Sequence, residues 1–373
     1  MDEAARQFFH QLVTTPGVSG FEQPVQRVVR GYAQPFAEQV ETDLHGNLIL
    51  AANPTAATRI MLAGHADQIG LILSHIDEDG YLYTQPVGGW DPQQLVGQQM
   101  VVWSKRGPVP GVIARRAIHL LDEAERNKVV ALKSLWIDIG ASNRQQAESL
   151  VEIGDSVTLR LNHVELANGL VSGPAMDNRT GVWVVVEGLR RAAKLGLKSA
   201  VYSASTVQEE IGLRGAQTAA YSIHPQIGIA VDVTHATDSP ESDRKQQGTV
   251  KIGAGPVIVR GPNMNPGVCD RLEQLAQEHH LPIQRVALGR AASNDSNVMQ
   301  ISRGGMATAV VAIPNRYMHS AVEVVSLVDL DHAAELIARF CASVSDHREF
   351  IPQYAPAGPV GPVGPVGPDK PPE

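Results

Sequence analysis

The sequence predicts an α/β fold in which helices cover both faces of a mostly parallel sheet and a β-rich domain is inserted into the chain. Short continuous apolar runs, such as residues 60–63 and 227–233, are typical of strands buried on both faces. Stretches with helical apolar spacing alternate with these runs, and this alternation predicts a parallel sheet between two helical layers. Residues 70–162 interrupt the alternation with turn-rich β segments.

The N-terminal part predicts two helices followed by strands of the sheet. Apolar residues recur at helical spacing over residues 5–13, and Pro16-Gly17 ends this helix. A second amphipathic stretch covers residues 25–32. The apolar runs at residues 46–50 and 60–63 then predict two buried strands.

Residues 70–162 predict a compact β-rich domain. Two β segments flank the turn sequence Asp77-Glu78-Asp79-Gly80, which is a hairpin signal. Further short segments are separated by glycine and proline pairs, and residues 155–161 alternate with period two. One short helix is expected near residues 144–151.

The rest of the chain returns to the alternating pattern. Helices are predicted over residues 178–195, 214–220, 268–279 and 329–344, and strands over residues 200–207, 227–233 and 306–313. Asn294-Asp295-Ser296 is expected in a loop close to the site, without an assigned role. The predicted organisation is a discontinuous main domain (residues 1–69 and 163–350), an inserted domain (residues 70–162) and a tail (residues 351–373).

The tail is rich in proline and glycine and repeats the unit Gly-Pro-Val between Gly358 and Gly367. A collagen triple helix needs far more such repeats, so we expect the tail to be extended and disordered.

The composition excludes several classes of protein. The 373 residues include 31 Lys and Arg against 39 Asp and Glu, a net charge of −8, so nucleic acid is not expected as a partner. No apolar run reaches the roughly 18 residues of a membrane-spanning helix, and the acidic start lacks a signal-peptide pattern. Two cysteines cannot form a disulfide framework. We therefore expect a cytoplasmic protein without a membrane partner.

Acids and histidines follow the predicted buried strands or stand at a helix start, at five places in the chain. In open α/β sheets the carboxyl ends of the strands form the edge where ligands bind. Each position also has an ordinary explanation, such as helix capping by an aspartate, a solvated pair of glutamates or a loop histidine. The residues concerned are His65 and Asp67, Asp177, Glu209 and Glu210, Asp232, and His319.

Taken together, these residues predict a metal site. A buried carboxylate such as Asp232 needs a hydrogen-bond network or a cation, and His65 could bind a metal through one ring nitrogen while a carboxylate holds the other. The whole set suits two Zn²⁺- or Co²⁺-like ions about 3.5–4 Å apart. The signatures of serine hydrolases, P-loop proteins, zincins and dinucleotide-binding proteins are absent from the sequence.

The sequence resembles the M42 family of co-catalytic metallo-aminopeptidases, some of which carry the name endoglucanase. The resemblance covers about residues 5–345. The motifs that carry it are Gly64-His65-Ala66-Asp67, Ala175-Met176-Asp177-Asn178-Arg179, the nine residues from Gln208 to Ala216, Asp232-Val233-Thr234, and Arg316-Tyr317-Met318-His319-Ser320.

This resemblance implies roles for individual residues. His65 and Asp232 would bind one divalent ion, Glu210 and His319 the other, and Asp177 would bridge the two. Glu209 would be the general base acting on a metal-bridging water, and Asp67 the acid that orients His65. Substrates would be peptides with a free amino terminus, and the ions would be zinc or cobalt.

The resemblance also implies an architecture and an assembly. The inserted domain would be a barrel-like dimerisation domain, and the chain would form a homo-oligomer, a dimer or a dodecamer. Two features depart from the family pattern. Gln68 stands where a glutamate is usual, which predicts a tuned but not a lost site, and the Gly-Pro-Val tail has no counterpart.

Three other functions remain open from the sequence. A two-metal deacylase or deacetylase of small N-acyl substrates would use the same ligands. A cage-forming relative without catalysis would keep the assembly but has no chemical need for the adjacent acids Glu209 and Glu210. A glucanase would require two carboxylates that flank a sugar bond and no metal pair.

Overall fold

The structure is a computed structural model that describes residues 1–353. The tail predicted for residues 351–373 falls, from residue 354 onward, outside the described residues. The helices of the described part are α1 (Glu3–Thr14), α2 (Gln23–Ala33), α3 (Glu123–Arg126), α4 (Arg144–Leu150), α5 (Met176–Leu195), α6 (Arg214–Ile223), α7 (Arg244–Gln247), α8 (Pro266–Glu278), α9 (Asp295–Gln300) and α10 (Leu327–Ser343). Within this part, no helix is long and apolar enough to cross a membrane.

The strands form one large sheet, one small sheet and a closed barrel. In chain order they are β1 (Gln39–Thr42), β2 (Leu48–Ala52), β3 (Arg59–His65), β4 (Gly70–Ile76), β5 (Leu82–Val87), β6 (Gln99–Ser104), β7 (Gly107–Ala114), β8 (Trp136–Asp138), β9 (Ser156–Leu159), β10 (Val164–Glu165), β11 (Leu170–Gly173), β12 (Ala200–Thr206), β13 (Ile227–His235), β14 (Val257–Arg260), β15 (Gln284–Ala287), β16 (Ala307–Asn315) and β17 (Glu323–Ser326).

The large sheet has eight strands in the order β1-β2-β12-β3-β13-β16-β14-β15. Its four central strands, β12, β3, β13 and β16, run parallel, and β14 pairs with β15 in parallel as well. Antiparallel pairs join β1 to β2, β2 to β12 and β14 to β16. The predicted α/β class with a mostly parallel, covered sheet is confirmed, and its carboxyl edge is formed by the ends of the four central strands.

Helices cover both faces of this sheet because its inner strands have apolar side chains on both sides. The 20-residue helix α5 packs against β3 and β13 and against α10, whereas α6 and α9 pack together on strands of the same sheet. The approach of α5 to β3 is very close: a Cβ added to Gly64 would lie 2.6 Å from the carbonyl carbon of Gly181. Only glycine at residue 64 allows this contact, directly before His65.

The inserted β-rich region forms a closed barrel of six strands in the order β4-β5-β8-β7-β6-β9. Its core is separate from that of the large sheet and includes Leu71, Val102, Ile113, Ile137 and Val157, all buried. The chain enters the barrel a few residues after β3 ends at His65. The barrel is therefore joined to the main fold directly beside the carboxyl edge of the sheet.

One local prediction needs correction, and the ordinary explanation of Asp177 as a helix cap does not hold. Asn294-Asp295-Ser296 is not a loop, because Asn294 caps helix α9, its side chain accepting a hydrogen bond from the Ser296 N–H at 3.2 Å. The six residues of α9 are too few to show helical periodicity. Asp177 does not cap α5 either, since Ala175 precedes the helix with a φ of 65° and Asp177 lies in an irregular first turn.

Candidate metal centre

The structure brings together all seven residues that the sequence singles out. His65 ends β3, Glu209 and Glu210 follow β12, and Asp232 lies near the end of β13. His319 lies in the loop after β16, and Asp177 comes from the first turn of α5. Because the four strands are parallel neighbours, these side chains meet at one edge of the sheet.

Asp177 lies between the two histidines. Its Oδ1 atom is 3.2 Å from His65 Nε2, and its Oδ2 atom is 3.3 Å from His319 Nε2. Asp232 Oδ1 is 3.7 Å from His65 Nε2, and Glu210 Oε2 is 3.4 Å from His319 Nε2. One carboxylate thus presents an oxygen to each half of the cluster, which is the arrangement expected of a residue that bridges two cations.

The two imidazoles are oriented in the same way. His65 Nδ1 lies 3.1 Å from the carbonyl oxygen of Asp67, and His319 Nδ1 lies 2.9 Å from the carbonyl oxygen of Gly89. A carbonyl can only accept, so in the neutral imidazole Nδ1 carries the proton and Nε2 presents its lone pair to the carboxylates. This is the usual orientation of a metal-binding histidine. Gly89 belongs to the inserted region, which therefore contributes to the site.

Two overlapping groups of ligand atoms are close enough to hold an ion. The ligand atoms of His65, Glu209 and Asp232 lie within 4.8 Å of one another, as do those of His65, Asp177 and Glu210. Glu209, predicted as the general base, therefore lies as near to His65 as Asp232 does, with Oε2 at 3.7 Å from Nε2. Its position suits either a ligand or a base beside the ligands.

Asp67 holds several parts of the site at once. Its carboxylate accepts hydrogen bonds from the Ser19 hydroxyl at 2.7 Å, from the Glu209 N–H at 3.0 Å and from the Glu210 N–H at 3.1 Å. Its Oδ1 atom is also 3.4 Å from His65 Nδ1. Although burial opposes ionisation, these contacts lower the pKa of Asp67. Asp67 lies where it can orient His65, and it also anchors the turn that carries the two glutamates.

Glu323 is a further residue of the site, and the sequence did not predict it. This buried residue opens β17, and its carboxylate accepts hydrogen bonds from the His319 N–H at 2.8 Å and from the Asp177 N–H at 3.2 Å. Burial raises its pKa to about 8. One carboxylate thus fixes the backbone at two predicted ligands. A single acid directly before the apolar pair Val324-Val325 is the signal that could have indicated it.

Asp295 also lies beside the cluster. It is 3% exposed, and its Oδ2 atom accepts a hydrogen bond from Thr206 Oγ1 at 2.7 Å. Thr206 is paired with His65 across the sheet. Burial, together with the charges of the nearby Asp232 and Asp67, raises the pKa of Asp295 to about 7. The residue adds one more acid to a region already rich in carboxylates.

The electrostatics of the cluster are those of an acidic site that needs cations. Burial raises the pKa of Glu209 to about 10, with the charge of Asp232 adding to the effect, and burial raises that of Glu210 to about 7. Asp177 and Glu210 raise the pKa of His319 to about 11. Unpaired buried carboxylates are costly, and Glu210 Oε1 has no hydrogen-bond partner among the described residues. Divalent cations would remove this cost, so the donor set fits them.

Gln68 contacts a buried arginine. Its Oε1 atom accepts a hydrogen bond from Arg179 Nη2 at 2.8 Å. The Arg179 guanidinium also donates to backbone carbonyls of residues 12–17, and no carboxylate forms an ion pair with it in the described part of the chain. Burial lowers its pKa to about 10. The amide of Gln68 therefore takes the place that a carboxylate would fill as partner to Arg179.

A large covered sheet with histidines and carboxylates clustered at its carboxyl edge defines a hydrolase of the metallopeptidase class. The sequence matches the profile described as M42 glutamyl aminopeptidase over residues 46–336. The chain therefore belongs to the M42 family of aminopeptidases, and it is a hydrolase; the resemblance found in its motifs is confirmed. Divalent metal ions are implied by membership of this family.

Individual relatives support this assignment. The chain is 37% identical to the lysyl aminopeptidase of Pyrococcus furiosus over 330 residues, which cover 87% of this chain and 93% of the relative. Among solved structures, the TET aminopeptidase of a marine sediment archaeon of the Thaumarchaeota matches with a TM-score of 0.87 at 33% identity, covering 91% of this chain and 96% of that one.

A third relative is known as an assembly. The TET1 peptidase of Pyrococcus horikoshii, which can assemble into a tetrahedron or a large octahedral shell, matches with a TM-score of 0.82 at 29% identity. The match covers 91% of this chain and 100% of that one.

Proposed function

We propose that this chain is a dinuclear metal-dependent aminopeptidase that removes residues from peptides with a free amino terminus. The observation that carries the proposal is the position of Asp177 between His65 Nε2 and His319 Nε2, at 3.2 and 3.3 Å. Both imidazoles present Nε2 to this carboxylate because Nδ1 faces a carbonyl oxygen. Two ions are favoured because the two oxygens of Asp177 face different histidines, each of which has a further carboxylate, Asp232 or Glu210, beside its Nε2 atom.

The proposed ligand sets are those that the family pattern implies, and the distances are compatible with them. His65 and Asp232 would hold one ion, Glu210 and His319 would hold the other, and Asp177 would contribute an oxygen to each. Two bound Zn²⁺ or Co²⁺ ions would supply Lewis acidity and lower the pKa of a water towards neutrality. Imidazole and carboxylate ligands suit these ions.

Glu209 is assigned as the general base. Its backbone is fixed by Asp67, and its carboxylate lies at the cluster without being needed to complete either ligand set. From this position it would take the proton of the attacking water and later deliver it to the leaving amine. The same residue thus serves both steps of peptide hydrolysis.

The Glu209→Gln variant tests this assignment. With metals bound, the variant should lose about 10²–10⁴-fold in kcat, the usual contribution of a general base. Its metal content should stay close to that of the wild-type protein, because a ligand would be lost only if Glu209 bound an ion. Full turnover by the variant would refute the role of base, and a loss of one ion would make Glu209 a ligand.

A blocked peptide separates the proposed activity from the deacylase alternative. Leucyl peptides with a free amino terminus should be hydrolysed, while the same peptides carrying an N-acetyl group should be inert. Release of acetate from the blocked peptide, with no cleavage of the free one, would identify a deacylase. Hydrolysis of a β-glucan that survives a chelator would instead support a glucanase.

We further propose that the chain works as a homo-oligomer in the cytoplasm. The inserted barrel region exposes apolar side chains, with Ile118 at 59% and Leu120 and Val129 at 70%, and surfaces of this kind often mark protein interfaces. A dodecamer of the 40.0 kDa chain would have a mass of about 480 kDa, which light scattering can distinguish from a dimer. Both cysteines, Cys269 and Cys341, are buried and free, as suits a reducing compartment.

A further inference from the structure

The cavity beside the carboxylate cluster has an apolar wall on the large sheet. The cavity measures about 620 Å³, and its lining includes Val310, Ala312, Val259 and Val286 from the neighbouring strands β16, β14 and β15, which we call the valine floor. Ala312 is paired with Asp232 across β13 and β16, and Val259 is paired with Val286 across β14 and β15. The floor therefore begins beside a predicted metal ligand and runs towards the edge of the sheet.

Three of the four residues of the valine floor are buried, and Val286 is half-buried. Val310, Ala312 and Val259 are 1%, 2% and 4% exposed, because they belong to strands covered by helices on the opposite face. An aminopeptidase must hold a single residue on one side of the scissile bond, whereas the remaining peptide leaves through open space. The valine floor is therefore suited to the N-terminal side chain, and the open side of the cavity to the leaving peptide.

The charges around the valine floor select against charged side chains. Among the described residues that line the cavity, the acids are Asp177, Glu209, Glu210 and Asp232, all of which belong to the metal cluster. A lysine side chain on the floor would lose its hydration without gaining a carboxylate partner. Arg290, which is exposed at the rim, would repel it further.

A glutamate side chain meets the same difficulty on the floor. Its carboxylate would be desolvated against valines that offer no hydrogen-bond donor, since the polar side chains Ser293, Asn294 and Asn297 of the lining belong to α9 and the residues before it and not to the floor. The guanidinium of Arg290 is exposed, so its attraction is weakened by solvent. An aliphatic side chain instead gains from burial against the floor.

We infer that this enzyme prefers an N-terminal leucine or methionine and discriminates against lysine and glutamate. The inference rests on the proposed aminopeptidase function and assigns its specificity to the valine floor. This preference would differ from that named for the lysyl aminopeptidase to which the chain is 37% identical.

A panel of aminoacyl p-nitroanilides tests the inference. The protein, reconstituted with Zn²⁺ and separately with Co²⁺, is assayed with leucyl, methionyl, alanyl, glutamyl and lysyl substrates. Leucine and methionine should exceed alanine by about 10–100-fold in kcat/KM, from the extra methylene groups buried. They should exceed lysine and glutamate by at least about tenfold.

The outcomes separate the two levels of the proposal. Hydrolysis with lysine or glutamate as the best substrate, or with alanine equal to leucine, would overturn the inference and leave the aminopeptidase activity standing. A panel that stays inert with both metals bound would contradict the proposed function, and the inference with it.

A pair of variants at the rim locates the specificity. Leu288 follows β15, lines the cavity and is 38% exposed, so a polar side chain there should be tolerated. Leu288→Glu should raise kcat/KM for the lysyl substrate about tenfold relative to Leu288→Gln, which has the same shape without the charge. If the two variants show the same ratio of lysyl to leucyl hydrolysis, the N-terminal side chain does not bind at this part of the cavity.

Discussion

Replacing Asp67 with asparagine should disable the site although Asp67 is not a proposed ligand. The carboxylate accepts three hydrogen bonds, from Ser19 Oγ and from the backbone N–H groups of Glu209 and Glu210. Ser19 and Glu210 share Oδ2, while Glu209 and His65 face Oδ1. An asparagine has one acceptor oxygen, so its NH₂ group must face donors on one of the two sides.

The magnitude follows from the hydrogen bonds that an asparagine cannot accept. Each hydrogen bond to a charged group contributes about 1.5–3 kcal/mol. On either side at least one such bond is removed and a second donor is left facing the NH₂ group, so the total cost is about 3–6 kcal/mol. The lowered pKa of Asp67 agrees in sign, because it means that the folded protein favours the charged form.

The assay measures activity and metal content together. We expect about 3 kcal/mol of this cost to appear in the activation free energy, because Glu209 and His65 are no longer held in place. This corresponds to roughly a hundredfold loss in kcat/KM, measured with leucyl p-nitroanilide at saturating Zn²⁺. Ser19→Ala is the matched control, because it removes one hydrogen bond to the same carboxylate and leaves the turn at Glu209 anchored. If Asp67→Asn keeps a kcat/KM close to that of wild type and its full metal content, the Asp67 carboxylate does not hold the site in place.

Three further predictions concern the surroundings of the cluster. Glu323→Ala should leave two buried backbone N–H groups at predicted ligands without an acceptor and lower the free energy of unfolding by about 2–6 kcal/mol. Glu323→Gln should retain part of this stability. Equal melting curves for the two variants would contradict the anchoring role of Glu323. Gln68→Ala should destabilise the fold by about 1.5–3 kcal/mol because it removes a partner of Arg179. Gln68→Glu should be at least as stable as wild type in thermal melts. If Gln68→Ala melts at a higher temperature than Gln68→Glu, the contact with Arg179 does not stabilise the fold. The pKa values of His319 and Glu209 are raised to about 11 and about 10, so the folded metal-free protein binds more protons than the unfolded chain. Its melting temperature should therefore fall between about pH 6 and about pH 9, and Zn²⁺ should restore it most strongly at the higher pH. A melting temperature that rises over this range without metal would contradict these pKa shifts.

The sequence was sufficient to predict the residues that cluster at the sheet edge. Each of His65, Glu209 and Asp232 stands at or just after a continuous apolar run, and the carboxyl ends of parallel strands must converge. Their residue types then indicate cations without knowledge of any distance. The fold class was predictable for the same reason, because buried parallel strands and amphipathic helices leave distinct apolar patterns.

What escaped prediction depends on contacts between distant backbone groups. Glu323 matters because its carboxylate meets the N–H of Asp177, 146 residues away in the chain. The orientation of His319 depends on the carbonyl of Gly89, 230 residues away. Nearly every residue has a backbone donor and acceptor, so the sequence carries no sign of which ones a side chain will find.

Asp177 is proposed to lie between two cations, and a count of the bound ions is the direct test of this position. The metal-free protein is loaded with Zn²⁺ or Co²⁺, freed of excess metal and measured for metal per chain alongside hydrolysis of leucyl p-nitroanilide. The proposed site predicts close to two ions per chain, with full activity only when both are bound. Full hydrolysis with a single ion per chain, or with none, would contradict it.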